Sequence, residues 1–394
     1  MPPLTRSASP AREEGPPVFL GYTQAELDAA YDQAAYMPHI QQLRDRWHSN
    51  SARTRARLGP PLRRRYGPHQ VEELDIFRTG TPAPAPVFVF IHGGAWRAGS
   101  AAQYSAPAEM FVREGAHYIA PDFTTVQDAG GSLFPMAEQV CRAIAWVYQN
   151  AASFGGDPER IYIGGHSSGA HLAAVALTAD WERDHGLPRD IIKGGLCGSG
   201  MYDLHPVSLS HRSSYVKFTA GMIEKLSPAR HIARLRAPVI VAYGTHETPE
   251  FQRQARDFAA ALRATGKPVE LLVGEHYSHL DLPETLCNPY GLLGAAVLAR
   301  WASGGGEAAS AGGIMKIKLD IDCTPEELRG FFGLPDVRPM QEALLKEVEE
   351  RMRAGVKALD SEAILKTWLP AGMQGFEKLQ EMFLGQMGGR PGKK

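Results

Sequence analysis

The chain has 394 residues, is 44% hydrophobic and 22% charged, and carries Lys+Arg 42 against Asp+Glu 43, a formal net charge of -1. That length admits one large domain plus a small one, and the composition is globular rather than disordered. The charge balance excludes a global field that would draw nucleic acid or an anionic membrane, and no window approaches the ~20 apolar residues of a membrane span. Four scattered cysteines, Cys141, Cys197, Cys287 and Cys323, form no C-x-x-C pair. They suit a reducing cytoplasm and give no zinc signature.

Residues 1–17 lack an apolar core and read as a disordered leader, neither signal peptide nor anchor. From Tyr22 to about Arg57 the pattern is helical, with Leu27, Tyr31, Ala34 and Ala35 at helical spacing. Thr23 with Glu26 makes a capping box. Arg44, Arg46, Arg53, Arg55, Arg57, Arg63, Arg64 and Arg65 crowd one span, and a solvated helix face and loop accounts for them better than a polyanion site.

VEELDIF (71–77) reads as an early strand. Strands then alternate with helices: PVFVFIH (86–92), AHYIAPDF (116–123), RIYIGG (160–165), IIKGGLCGSG (191–200), APVIVAYG (237–244) and KPVELLVG (267–274) are strands, while 134–155, 169–179 and 254–266 are helices. Continuous apolar strands between helices imply a mostly parallel sheet covered on both faces. Residues 201–236 interrupt the alternation and read as a short helical cap over the strands' carboxyl ends. The first domain therefore spans 18–302.

After Trp301 the composition changes. Residues 303–314 are a Gly/Ser/Ala linker. At Met315 a strand-like alternation begins, MKIKLDID, followed by a helix start at Thr324, Pro325 and Glu327 and by helical segments at about 339–359, 361–369 and 372–387. Residues 315–394 read as a separate small α+β or mainly helical module with a disordered end. Its inner Met315 suggests a fused gene, and the module is a candidate for self-association or an unknown protein contact.

Chemistry concentrates at Gly165-His166-Ser167-Ser168-Gly169, a G-x-S-x-G pentapeptide between a strand and a helix. A nucleophile elbow needs that context, because a tight strand-to-helix turn strains the serine and brings neighbouring chain too close for side chains at the glycines. The backbone N–H of Ser168 is one oxyanion donor. Gly93 and Gly94, in IHGGAWRAG at the exit of an early strand, supply the others. His92, Trp96 and His166 are candidates to line the substrate pocket.

The chain order Ser, acid, His places the acid after a late strand. Glu247 is the first carboxylate beyond VIVAYG, with Glu250 in reserve. The base follows the next strand, where His279 is chosen and His276 stays an alternative. His276-x-x-His279 also has metal-pair spacing, but no third ligand pattern accompanies it. The roles follow: Ser167 attacks a carbonyl, His279 moves its proton, and Glu247 orients the imidazole.

Together HGGAW, GHSSGAHLAA, AWVYQNAASFGGDPERIYIGG, GSGMYDL, THETPEFQRQ, HYSHLD and the N-terminal YDQAAYMPH resemble the arylformamidase (kynurenine formamidase) branch of the α/β-hydrolases, over roughly residues 20–302. The resemblance implies an α/β-hydrolase fold and the same three site residues, with Glu247 where many relatives carry aspartate. It further implies a cofactor-free hydrolase of N-formyl-L-kynurenine or a similar aryl amide or ester, often dimeric. Ser278 departs from the Asn or Asp that relatives carry before the histidine. A carboxylesterase or an amide or carbamate hydrolase of the same fold is the second reading, and a non-catalytic interaction protein the third. No obvious cluster would hold an amino-acid head group; Arg212 and Lys217 in the cap are the candidate carboxylate partners, but ordinary surface charge accounts for them better. The tail resembles a small uncharacterised bacterial family, from which no activity follows.

Overall fold

A computed structural model describes residues 15–81 and 84–302, with the single positions Lys346 and Glu350. The chain divides into two units, 1–310 and 311–394. Most of the expected leader, the linker, and the strand and helices expected after Met315 lie outside the described residues.

The apolar runs of the first unit become an eight-stranded sheet: β1 (Leu62–Arg65), β2 (Glu73–Phe77), β3 (Ala85–Ile91), β4 (His117–Pro121), β5 (Gly156–His166), β6 (Gly194–Gly198), β7 (Val239–Gly244) and β8 (Val269–Gly274), in the order β1-β2-β4-β3-β5-β6-β7-β8. The β1–β2 and β2–β4 pairs are antiparallel and all others parallel. Alternation along β3 shows why the sheet is covered twice. Val87, Val89 and Ile91 join Val140, Ile144 and Leu172 in one core, while Phe88 and Phe90 join Phe111 and Tyr118 in the other. Phe88 stacks on Phe111 with centroids 4.3 Å apart. Each such side chain contributes about 1.5–3 kcal/mol by leaving water.

The register aligns the carboxyl ends of the central strands, with Ile91 opposite Gly165, His166 opposite Gly198 and Gly244 opposite Gly274. The loops after β3, β5, β7 and β8 therefore open on one edge, where an open α/β sheet binds ligands.

The N-terminal helical stretch is not continuous. It divides into α1 (Gln24–Ala30), a 3-10 turn (Gln33–Tyr36) and α2 (Ile40–Leu58). Met37 is extended (φ -128°, ψ 82°) because it precedes Pro38, whose ring disfavours helical geometry in the residue before it. The capping box forms as expected, Thr23 N–H donating to Glu26 Oε2 at 2.8 Å.

The arginine cluster is also corrected. Its end is a strand, β1, at the sheet's edge, and several of its charges are paired rather than simply solvated. Arg55 and Arg63 both reach the buried carboxylate of Asp75 at 2.7 Å. Arg63 also meets Glu73 and Asp122, and Arg57 meets Glu109.

The remaining helices are α3 (Ala108–Arg113), α4 (Phe134–Asn150), α5 (Ser168–Leu177), α6 (Trp181–His185), α7 (Leu204–Ser208), α8 (Ala220–Lys225), α9 (Pro249–Ala264), α10 (Asp281–Glu284) and α11 (Leu292–Ala302). Helix α9 starts five residues before the expected boundary because Pro249 suits the first helical position. The insert at 201–236 holds α7, α8 and three 3-10 turns. No helix among the described residues is long and apolar enough to cross a membrane.

Candidate active site

Strand β5 runs into α5 through one residue, Ser167, at φ 58° and ψ -125°. A non-glycine residue there costs about 1–3 kcal/mol and persists only when its surroundings over-determine it. They do so here. Ser167 N–H donates to Gly198 O at 2.9 Å on β6, and the Ser167 carbonyl accepts from His171 N–H in the first turn of α5. Gly169 lets that turn lie against β3, since a Cβ on it would stand 2.1 Å from Ile91 O.

Ser167 Oγ lies 2.9 Å from His279 Nε2, and His279 Nδ1 lies 2.8 Å from Glu247 Oε2. A carboxylate only accepts, so Nδ1 carries the proton and Nε2 offers its lone pair to the serine hydroxyl. All three residues are buried, at 8%, 6% and 1% exposure respectively. The arrangement can activate a hydroxyl, take up its proton and stabilise the resulting imidazolium.

The two reserve residues lie elsewhere. Glu250 is held by Arg253 at 2.7 Å and by the Tyr31 hydroxyl at 3.0 Å. His276 is exposed, with its ring beside His246. No group of three His, Cys, Asp or Glu residues among the described residues could hold a metal ion.

Four donors reach the Glu247 carboxylate. Oε1 accepts from Ser199 Oγ at 2.6 Å and from the Gly244 N–H at 2.7 Å, while Oε2 accepts from His279 and from Gln33 Nε2 at 3.3 Å. Ser199 and Gln33 were missed by sequence reasoning. Both sit in stretches that carry the family resemblance, GSGMYDL and YDQAAYMPH, but a lone serine and a lone glutamine have no spacing that ties them to an acid 48 and 214 residues away.

Gly93 abuts the serine, since a Cβ on it would stand 3.3 Å from Ser167 Cβ. Gly94 has φ 118°, and its carbonyl accepts from Arg97 N–H and Ala98 N–H, closing the turn. The Trp96 N–H donates to Ser168 Oγ at 3.1 Å. Those bonds use the amides of Trp96, Arg97 and Ala98, not those of Gly93 and Gly94. The Ser168 amide opens α5, where helix N–H groups have no intrahelical acceptor. Ser168 thus has a second part, unforeseen from its position: its hydroxyl ties the glycine loop to the elbow.

The three residues expected to line the pocket are buried, as Ser167 and His279 are. His92 stacks on Phe123 at 4.1 Å and lies 2.9 Å from Gly93 O through Nδ1. Trp96 donates its indole N–H to His171 Nδ1 at 3.2 Å, and His171 Nε2 meets Leu226 O in the cap at 2.8 Å. Both support the glycine loop from behind. His166 lies 4.5 Å from the His279 ring, centroid to centroid. Burial, then repulsion from His279, pushes the His166 pKa well below the usual range, and burial pushes His171 down to about 4. These are packed neutral imidazoles.

Comparison with known proteins agrees with this architecture. Residues 74–191 match the BD-FAE family model, and residues 315–389 match a family of unknown function (DUF6489). A kynurenine formamidase from Danio rerio is 30% identical over 58% of this chain and 77% of its own length. One from Salmo salar is 30% identical over 56% and 75%. A crystal structure of a putative thioesterase from Silicibacter sp. TM1040 superposes with a TM-score of 0.60 at 26% identity, covering 70% of this chain and 99% of the other. An elbow serine in line with a histidine and a glutamate at the edge of a mostly parallel sheet, together with these relatives, places the chain in the kynurenine formamidase family of α/β-hydrolase enzymes.

Proposed function

We propose that the protein cleaves an aryl formamide such as N-formyl-L-kynurenine through a formyl-enzyme intermediate on Ser167. The observation that carries this reading is the buried line Ser167–His279–Glu247, with contacts of 2.9 and 2.8 Å. Ser167 Oγ attacks the formyl carbon while His279 Nε2 takes its proton. The oxygen of the tetrahedral adduct gains negative charge between the amides of Gly93, Gly94 and Ser168, and one such donor is worth about 3–4 kcal/mol of barrier. The adduct collapses as His279 returns the proton to the arylamine, which leaves. Water, deprotonated by His279, then attacks the formyl ester and releases formate and free serine. The steps call on no cofactor.

A carboxylesterase is the second reading, favoured by a relative named isoprenylcysteine alpha-carbonyl methylesterase from Arabidopsis thaliana, 28% identical over 55% of this chain. Steady-state kinetics on N-formyl-L-kynurenine and on short p-nitrophenyl esters separate the two. The formamidase reading expects the higher kcat/KM for the formamide, and a strong preference for simple esters overturns it. Ser167→Ala is expected to abolish both activities, leaving at most about 10³–10⁴-fold over water.

We further propose a cytoplasmic location, in keeping with the free thiols of Cys141, Cys197 and Cys287. The proposed assembly is a homodimer, with residues 315–394 contributing a self-association contact. The sedimentation mass of the full chain tests it, and a monomer at micromolar concentration rejects it.

A further inference from the structure

Among the described arginines, Arg212 is the one whose residue is buried, at 6% exposure. It sits in a 3-10 turn of the cap (His211–Ser214). Its Nη1 donates to the Tyr215 hydroxyl at 2.8 Å and its Nη2 to the Tyr31 carbonyl at 3.0 Å. Both acceptors are neutral. Its buried Nε has no hydrogen-bond partner.

The guanidinium lies 5.7 Å from the Trp96 ring and 5.8 Å from the Phe251 ring. Phe251 in turn meets the His279 ring edge-on at 5.0 Å. Arg212 therefore faces Trp96 of the glycine loop and Phe251, the ring that separates it from the base. A second guanidinium stands close by: exposed Arg97, in the glycine loop's turn, covers the Tyr215 ring at 4.4 Å.

Neither guanidinium forms an ion pair among the described residues. The half-buried arginines of this unit differ, each having a carboxylate partner. Half-buried Arg253 has Glu250 and Asp257, and Arg55 and Arg63 share Asp75. A buried cation without a counter-charge is unfavourable, and aromatic rings supply attraction but no acceptor for Nε–H. Guanidinium presents five N–H groups in a planar fork that matches a carboxylate. Two of those groups are used, both on neutral oxygens.

We propose that Arg212, with Arg97 across Tyr215, forms a carboxylate-binding subsite next to the reacting serine. It would take the carboxylate that a substrate carries on its leaving group, away from the bond cleaved. Arg97, being exposed, meets the anion first, and Arg212 holds it. The proposal rests on the hydrolase reading of Ser167 and deepens it: on an N-formylated aryl amino acid, the bound group is the amino-acid carboxylate.

The test uses two acetate esters of one phenol, the first bearing a short carboxyalkyl chain on the ring and the second its neutral methyl ester. The quantity read is the ratio of their kcat/KM values. Wild type is expected to favour the carboxylate, and Arg212→Gln to lower that ratio roughly 10- to 100-fold, mainly through KM, as loss of a charged hydrogen bond predicts. Arg212→Lys is expected to recover part of the ratio and Arg97→Gln to lower it less. An unchanged ratio in an Arg212→Gln protein with the wild-type near-UV spectrum overturns the proposal.

Should Arg212→Gln fail to fold, inhibition of the wild type decides. The carboxyalkyl phenol must inhibit at a concentration at least roughly tenfold below its methyl ester, and equal inhibition by the two overturns the subsite. Inactivity toward N-formyl-L-kynurenine with the ester ratio preserved removes the formamidase reading and leaves the carboxylate subsite supported.

Discussion

The two halves of the site are built by different means. The nucleophile half is made of two short continuous segments, His92–Ala98 and Gly165–Gly169, and works largely through backbone: a strained serine, a glycine loop and a helix start. The acid half is made mainly of single side chains from distant places, with Gln33, Ser199 and His279 joining the nearby Gly244 N–H on Glu247. A half set by backbone conformation tolerates little change at its own residues but needs few partners. A half set by converging side chains depends on the whole fold to bring its members within reach.

The largest effect that would sharpen this contrast is expected from Glu247→Gln. An amide can present N–H toward Nδ1, which favours the tautomer whose Nε2 is protonated and faces Ser167. A loss of about 10⁴-fold in kcat is expected, measured on whichever substrate the panel selects. A loss below tenfold would mean that orientation of His279 does not depend on this carboxylate.

Next come two serines, one from each half. Ser168→Ala leaves the buried Trp96 N–H unpaired and loosens the glycine loop, so kcat should fall by about 10²-fold, with about 1–3 kcal/mol of stability lost as well. Ser199→Ala removes one of four donors on Glu247, so kcat should fall only about tenfold, while about 1–3 kcal/mol of stability is lost because a buried carboxylate loses a hydrogen bond. Urea melts and initial rates on both variants check this, and the reverse ordering in kcat would break the comparison.

The last effect is in pH, and it bears on stability alone. His171 joins the glycine loop to the cap as a neutral imidazole, its folded pKa lowered from 6.5 to about 4 by burial. As pH falls below 6.5 the unfolded chain takes up this proton and the folded chain does not. Stability is therefore full above pH 6.5 and declines toward pH 4, with a slope of about 1.4 kcal/mol per pH unit from this group. The lowered pKa values of His92 and His166 act in the same direction. Melts between pH 7 and 4.5 should show a shallower slope for His171→Gln, and an identical slope would exclude this group as a source.

Legibility in the sequence follows the same division. The elbow and the glycine loop were readable because their chemistry demands residue types at adjacent positions. The parallel strands β3 to β7 were readable because burial on both faces makes them apolar runs, and the sixth, β8, because it follows in the same alternation. The edge strand β1 was not, since LRRR has no apolar run and only its ladder to β2 and the ion pairs of Arg63 to Glu73, Asp75 and Asp122 hold its polar part. Glu247 and His279 were chosen by strand order over Glu250 and His276, and the distances agree with that choice. The packing of His92, Trp96 and His166 was not readable, because adjacency to a site residue does not tell which way a side chain packs.

By itself the sequence determined the alternation of strands and helices, the strained serine turn, the amide-rich glycine loop and the chain order of nucleophile, acid and base. These are local properties, set by periodicity, by glycine and by connection order. Only the tertiary structure decided that Gln33 and Ser199 hold the acid, that Ser168 and His171 tie the elbow to the loop and cap, and that Arg212 is buried without a carboxylate. The physical reason is that a hydrogen bond or an unpaired charge depends on distance and dielectric, and neither is a function of separation along the chain.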